Sequence, residues 1–240
     1  MERHIFARPR HRVPAGPGFH PTIRRWAACA SAAALGLLTA AAASAQEAGC
    51  SEPFMARIQA EYQAIGSFSG RFAQEDRQAD GSVVRAAGEI AYVRPGRMRW
   101  DYEPPHEQLV VTDGQSVWLF DPLLDNVTVQ PLEDVTQGTP LAFLLGVGNL
   151  QEDFTCRPLT RPTPDDGLAY LELVPREKIP TLDFLQIGVT PGGAALETLL
   201  IHDTQGNVRE MRLIGLRRGV TFPPGFFTFT ITDEMEVISK

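Results

Sequence analysis

Between Ile90 and Pro131 the chain reads IAYVRPGRMRWDYEPPHEQLVVTDGQSVWLFDPLLDNVTVQP. Large apolar residues alternate there with polar ones through several short runs. Arg94-Pro95-Gly96, Pro104-Pro105, Asp113-Gly114 and Asp121-Pro122 punctuate those runs as turns. A period of two bounded by turn residues predicts consecutive antiparallel strands with one apolar face. No catalytic set is embedded in the stretch. A half-barrel that encloses something apolar is a better expectation than a pocket that performs a reaction.

The same period runs on either side. Phe68, Gly70, Phe72 and Gln74 share one face of a first strand, and Asp80-Gly81 marks a hairpin leading to Val83–Val93. Met98, Trp100 and Tyr102, then Leu109 and Val111, then Trp118 and Phe120, then Val127 and Val129, complete about six strands in meander order. Later strands are expected at Leu168–Val174, Thr181–Val189, Leu196–His202, Val208–Leu216 and Phe226–Ile231, giving about eleven in all. A helix is predicted over Pro53–Ile65. Phe54, Ile58 and Tyr62 fall on one side of it, proline suits its first turn, Ser51 can cap it and Gly66 can end it. Thr139 can cap a short, almost wholly apolar helix containing Leu141, Phe143, Leu144 and Leu145. That helix is either core or a plug across the mouth of a curved sheet. The fold class is therefore mainly β, an incomplete antiparallel barrel with short helices as lid or plug.

The first 45 residues stand apart. Arg3, Arg8, Arg10, Arg12, Arg24 and Arg25 precede an apolar, alanine-rich run from Trp26 to Ala43, which ends in Ala43-Ser44-Ala45. A basic segment, an apolar segment and a small-x-small site form a secretory signal cleaved near Ala45. Residues 46–240 then form one domain. The signal takes six of the 22 basic residues and one of the 29 acidic ones, which leaves 16 against 28 and a net charge of −12. Such a surface repels nucleic acid and anionic headgroups. Cys50 and Cys156 are the two cysteines left. Export favours a disulfide between them, closing a loop of about 105 residues; two free buried thiols remain the alternative.

His106 and His202 are the only histidines beyond the signal. Neither has metal-ligand spacing, and no G-x-S-x-G or phosphate-binding loop occurs, so neither a metal nor a cofactor is expected. The acid pairs Glu152-Asp153 and Asp165-Asp166 sit in polar, loop-like surroundings. The apolar set comprises Phe68, Phe72, Tyr92, Met98, Trp100, Leu109, Val111, Trp118 and Phe120, with Phe184 on a later strand. It forms either an ordinary core under the Pro53–Ile65 helix or an enlarged cavity for an acyl chain. Burying ~16 methylenes would gain roughly 10 kcal/mol before ordering costs. An empty cavity of that size would be costly, so a cavity needs a reversible filler, for which Leu141–Leu145 is suited. Arg94 is in phase with Tyr92 at the lip, and a guanidinium there needs acceptors, such as the last carbonyls of a lid helix.

Several of these residues, in this order, resemble the periplasmic outer-membrane lipoprotein carrier family, the LolA proteins. They are Phe72-Ala73-Gln74, Gly88-Glu89-Ile90, Arg94-Pro95, Arg99-Trp100-Asp101-Tyr102, Asp113-Gly114, Trp118-Leu119-Phe120-Asp121-Pro122, Thr139-Pro140-Leu141 and Phe227-Thr228-Phe229. The resemblance implies an incomplete β-barrel with a helical lid and no enzymatic activity. It implies a cavity that takes lipoprotein acyl chains from an inner-membrane lipoprotein-releasing ABC transporter and passes them to an outer-membrane acceptor. The family's arginine before proline falls on Arg94 and is expected to latch the lid backbone. Met98 stands where the family has an aromatic residue. Thr230–Lys240 matches the family's C-terminal extension only loosely. Such a carrier is expected to act as a monomer. Two other readings carry weight: a lipoprotein-sensing regulator of envelope stress on the same fold, and a secreted lipid or glycan hydrolase using acids such as Asp165 or Asp183.

Overall fold

The structure, a computed structural model, describes residues 50–136, 145–192 and 195–239. Residues 1–45 with their cleavage site, and Leu141, Phe143 and Leu144, lie outside the described residues.

The chain enters through α1 (Glu52–Gln63). Its first turn uses backbone rather than side chain at the cap: the Ser51 carbonyl accepts from the Phe54 and Met55 amides, each at 3.0 Å. Six strands follow in meander order: β1 (Ser67–Arg77), β2 (Val83–Val93), β3 (Arg97–Tyr102), β4 (Gln108–Asp113), β5 (Ser116–Asp121) and β6 (Asn126–Pro131). The helices α2 (Leu132–Thr136) and α3 (Leu150–Asp153) precede the second half of the sheet. That half comprises β7 (Phe154–Arg157), β8 (Ala169–Pro175), β9 (Leu182–Val189), β10 (Leu196–Asp203) and β11 (Val208–Arg218), and β12 (Glu236–Ser239) ends the chain. All twelve strands form one sheet, in the order β12-β6-β5-β4-β3-β2-β1-β11-β10-β9-β8-β7. Its two edges, β12 and β7, do not pair with each other, so the barrel stays open. Every pairing is antiparallel except β12 on β6.

Three strands differ from expectation. Phe226–Ile231 is not a strand; residues from Val220 onward run as a strap across one face of the sheet. The strap starts where the Gly219 amide donates to the Ser67 carbonyl and the Ser67 hydroxyl donates to the Val220 carbonyl. Phe222 and Phe226 stack and Phe227 meets both edge-on, with ring centroids 4.9 to 5.1 Å apart. Two prolines and two glycines between Gly219 and Gly225 deny this stretch a regular ladder, and its aromatics pack from above instead. β7 and β12 are short edge strands that local pattern did not reveal.

The register corrects the apolar face. Residues directly opposite each other in antiparallel strands project to the same side. Trp100 pairs with Val110 and Met98 with Thr112, whereas Val111 pairs with Arg99 and Leu109 with Asp101. Val111 and Leu109 in turn face Trp118 and Phe120. Leu109, Val111, Trp118 and Phe120 therefore lie on the outer face, not with Phe68, Phe72, Tyr92, Met98 and Trp100 on the inner one. The periodicity within each strand was read correctly; the phase across the β3–β4 turn was not, because one residue of turn length exchanges the faces. Phe184 is outside as well, opposite His202 and away from the core formed by Leu185 and Ile187. Outer-face apolar residues still find cover: Val111 and Val127 are fully buried, and Phe120 lies 5.3 Å from Phe229 of the strap.

Candidate functional site

The inner face is roofed by α1. Phe54, Met55, Ile58 and Tyr62 point into it, and the core continues through Phe68, Phe72, Ile90, Tyr92, Met98 and Trp100 on one side. Leu171, Leu173, Leu185, Ile187, Val189 and Leu199 complete it on the other. Phe72 meets Trp100 and Tyr102 edge-on at 4.7 and 4.8 Å. Gly88 makes that packing possible, since a Cβ there would lie 2.8 Å from the Phe72 ring. The void bounded by Tyr62, Phe68, Ile90, Met98 and Trp100 measures about 10 Å³. That is room for about one water molecule at most, so this part of the interior has no room for an acyl chain.

What fills it differs from one half of the sheet to the other. Over β8 and β9 the inner residues are sealed, with Leu173 and Val189 fully buried, whereas Met211 and Leu213 of β11 are half-buried. Over β4–β6 the inner residues Val110, Val117 and Leu119 are only half-buried. Sequence reasoning missed these three because the wrong phase assigned them to solvent.

The segment from Leu145 to Asp153 closes the β2–β3 end, and Leu145 and Leu150 are each only 1% exposed. The Leu145 carbonyl accepts from the Tyr92 hydroxyl at 3.3 Å and from the Gly96 amide at 3.1 Å. The Gln59 side chain of α1 holds the next turn. Its Nε2 donates to the Gly148 carbonyl at 3.3 Å, and its Oε1 accepts from the Leu150 amide at 2.9 Å. Arg94 lies beneath Gly146, where a Cβ would be 2.9 Å from Nη2. Its Nε and Nη2 are buried without a hydrogen-bond partner. The guanidinium also lies close to Tyr92. Burial raises the Tyr92 pKa, while the Arg94 charge and a hydrogen bond from it pull the other way.

Cys50 and Cys156 are joined, with their Cα atoms 5.6 Å apart. The bond ties the residue just before α1 to edge strand β7.

The outer face carries charge. Glu172 is fully buried and accepts from Arg157 Nε at 2.6 Å, from the Thr160 hydroxyl at 2.6 Å and from Gln186 at 3.1 Å. Burial by itself would raise its pKa, but these donors outweigh it and hold the carboxyl below the usual range. His202 stacks on Phe184 at 4.1 Å and bonds Gln186, and burial lowers its pKa. This network pins the loop before β8 and leaves His202 engaged in packing. Asp165 and Asp183 are both exposed. No group of acidic, histidine or cysteine residues among those described is arranged to hold a metal. No described helix is long and apolar enough to cross a membrane.

Residues 63–230 match the family model described as outer membrane lipoprotein carrier protein LolA. The chain belongs to the LolA family. Among its relatives, an outer-membrane lipoprotein carrier protein of Alkalilimnicola ehrlichii is 34% identical over 179 residues, covering 74% of this chain and 79% of that protein. The one from Methylibium petroleiphilum is 34% identical over 171 residues, 70% of this chain and 81% of that protein. The one from Methylobacillus flagellatus is 29% identical over 184 residues, 76% and 87% of the two chains. The LolA match includes α1's last residue, the whole open sheet through β11 and most of the aromatic strap.

Proposed function

We propose that this chain is a periplasmic lipoprotein carrier rather than an enzyme. Exported by its N-terminal signal, it takes up lipoprotein acyl chains released by an inner-membrane ABC transporter and delivers them to an acceptor at the outer membrane. The observation that carries this reading is an open sheet whose apolar inner face is filled by its own helix and by a separately held segment. Such a filler exchanges with hydrocarbon at low net cost, because one apolar packing replaces another. A carrier needs that balance, since it must release as readily as it loads.

Arg94 serves as a positioning residue for closure. It orients the Tyr92 hydroxyl on the Leu145 carbonyl and so helps hold the segment shut. Arg94→Leu is expected to weaken the closed form and slow cargo release.

The test uses the signal-free chain and vesicles carrying a tripalmitoyl-cysteinyl peptide. The protein is expected to extract the lipopeptide as a soluble one-to-one complex that survives gel filtration. Arg94→Leu should form the complex but transfer it to acceptor vesicles more slowly. Lipopeptide that stays with the donor vesicles overturns the carrier reading; an unchanged transfer rate in the variant overturns the role of Arg94.

A further inference from the structure

The contacts of α1 fall into two classes. Towards β7–β11 one is covalent, and they lie at both ends. Cys50 is bonded covalently to Cys156 of β7. Glu61 pairs with Arg218 of β11 at 2.8 Å, and Arg57 donates to the Gly192 carbonyl in the β9–β10 turn. At its far end α1 runs through only Ala64, Ile65 and Gly66 into β1, and the Gly66 carbonyl accepts from the Arg94 amide at 2.9 Å. Towards the Leu145–Asp153 segment the contacts are few and non-covalent: the Gln59 amide, and Gln151 on Glu52 at 2.8 Å. A helix bonded covalently to β7 at one end and continuous with β1 at the other cannot lift away from the sheet without breaking the sulfur bridge.

We infer that α1 is a fixed strut and that the acyl chains of the proposed cargo occupy only the β2–β6 half of the inner face. There they lie over Met98, Trp100, Val110, Val117 and Leu119, exposed when the Leu145–Leu150 segment leaves Gln59, Tyr92 and Gly96. Val110, Val117 and Leu119 are half-buried at the open edge of this half, while Leu171, Leu173, Leu185, Ile187, Val189 and Leu199 are buried core; on the α1 side Met211 and Leu213 of β11 are comparably half-buried. The Cys50–Cys156 bond thereby sets the boundary of the site. It makes α1 a wall, where an untethered helix would be a second lid. This assignment rests on the carrier reading for its ligand, but the strut itself does not.

Amide hydrogen exchange tests both parts in the signal-free protein. Without ligand, Cys50→Ser/Cys156→Ser should raise exchange of the Met55–Tyr62 amides about tenfold or more through local opening, leaving the β9 and β10 amides at the parent rate. A double variant whose α1 exchanges as in the parent overturns the strut. With tripalmitoyl-cysteinyl peptide bound to the disulfide-bonded protein, Leu145–Asp153 should lose protection while Met55–Tyr62 keep theirs. Loss of protection in both segments overturns the assignment of the site. If the lipopeptide does not bind, the ligand-free comparison still decides the strut, and it is the carrier reading and the placement of cargo that fail.

Discussion

Gly146 shows how much a single backbone position decides. Its φ of +68° lies in the left-handed region, and the space a side chain would take is filled by the Tyr92 hydroxyl and the Arg94 guanidinium. Any L-residue there costs about 1–2 kcal/mol in backbone conformation before steric overlap is counted. Gly146→Ala is expected to destabilise the closed form by at least about that amount. It should lower the urea midpoint and raise the fluorescence of an apolar dye in the empty protein; an unchanged midpoint and dye signal would show that closure does not depend on this contact. Gln59 is the complementary case. A polar residue within an amphipathic helix reads from sequence as solvated, yet it is nearly fully buried because both ends of its amide are satisfied by the Gly148 and Leu150 backbone. Arg94 was legible as a residue at the lip, but its position beneath Gly146 was not, since that depends on where the Leu145–Gly146 turn falls.

Among the elements, β4 and β5 are where pattern misled. Each alternates cleanly, so strand identity was plain, but an alternating strand of mixed apolar residues offers two faces of similar hydrophobicity. Leu109 and Val111 compete with Val110, and Trp118 and Phe120 with Val117 and Leu119. The larger set went outside because the strap supplies Phe227 and Phe229 to cover it, and Arg97 and Arg99 place their guanidiniums 5.9 and 5.2 Å from the Phe227 and Phe226 rings. Two variants separate the faces. Val117→Lys sets a charge on the inner face and is expected to weaken lipopeptide binding about tenfold or more, since ionised groups are poorly tolerated beside buried hydrocarbon. Trp118→Ala, on the outer face, should cost stability but leave lipopeptide affinity within about twofold. Isothermal titration would reveal the opposite ranking if the outer aromatics bound the cargo.

For the molecule as a whole, the buried Glu172 and the half-buried His202 contribute to its response to acid. Glu172 has a folded pKa below its unfolded value, so it stabilises the protein above the unfolded carboxylate range and loses that contribution as pH falls through the folded value. His202 also has a lowered folded pKa. Its contribution is complete above its unfolded value, about 6.5, and is lost as pH falls from there. Stability should therefore begin to decline below about pH 6.5 and fall further below about pH 4.5. In urea melts between pH 7 and pH 3.5, Glu172→Gln is expected to be less stable at neutrality and to lose less on acidification. A variant with the parent's full acid loss would place the sensitive group elsewhere.

The sequence alone determined that this chain builds a meander of antiparallel strands, with one amphipathic helix ahead of it, and that it carries no recognisable catalytic motif. Those properties follow from local period and turn chemistry, which each segment carries within itself. The family resemblance was legible for the same reason, being an ordered series of short local motifs. Tertiary structure alone decided which apolar stripe faces inward, that Val220–Ile231 becomes a strap, and that the two halves of the trough differ. Each of these depends on register and on contacts between residues far apart in the chain. Whether Val110 or Val111 meets the interior turns on a one-residue phase across a turn, and whether α1 can move turns on a bond to a strand more than a hundred residues away.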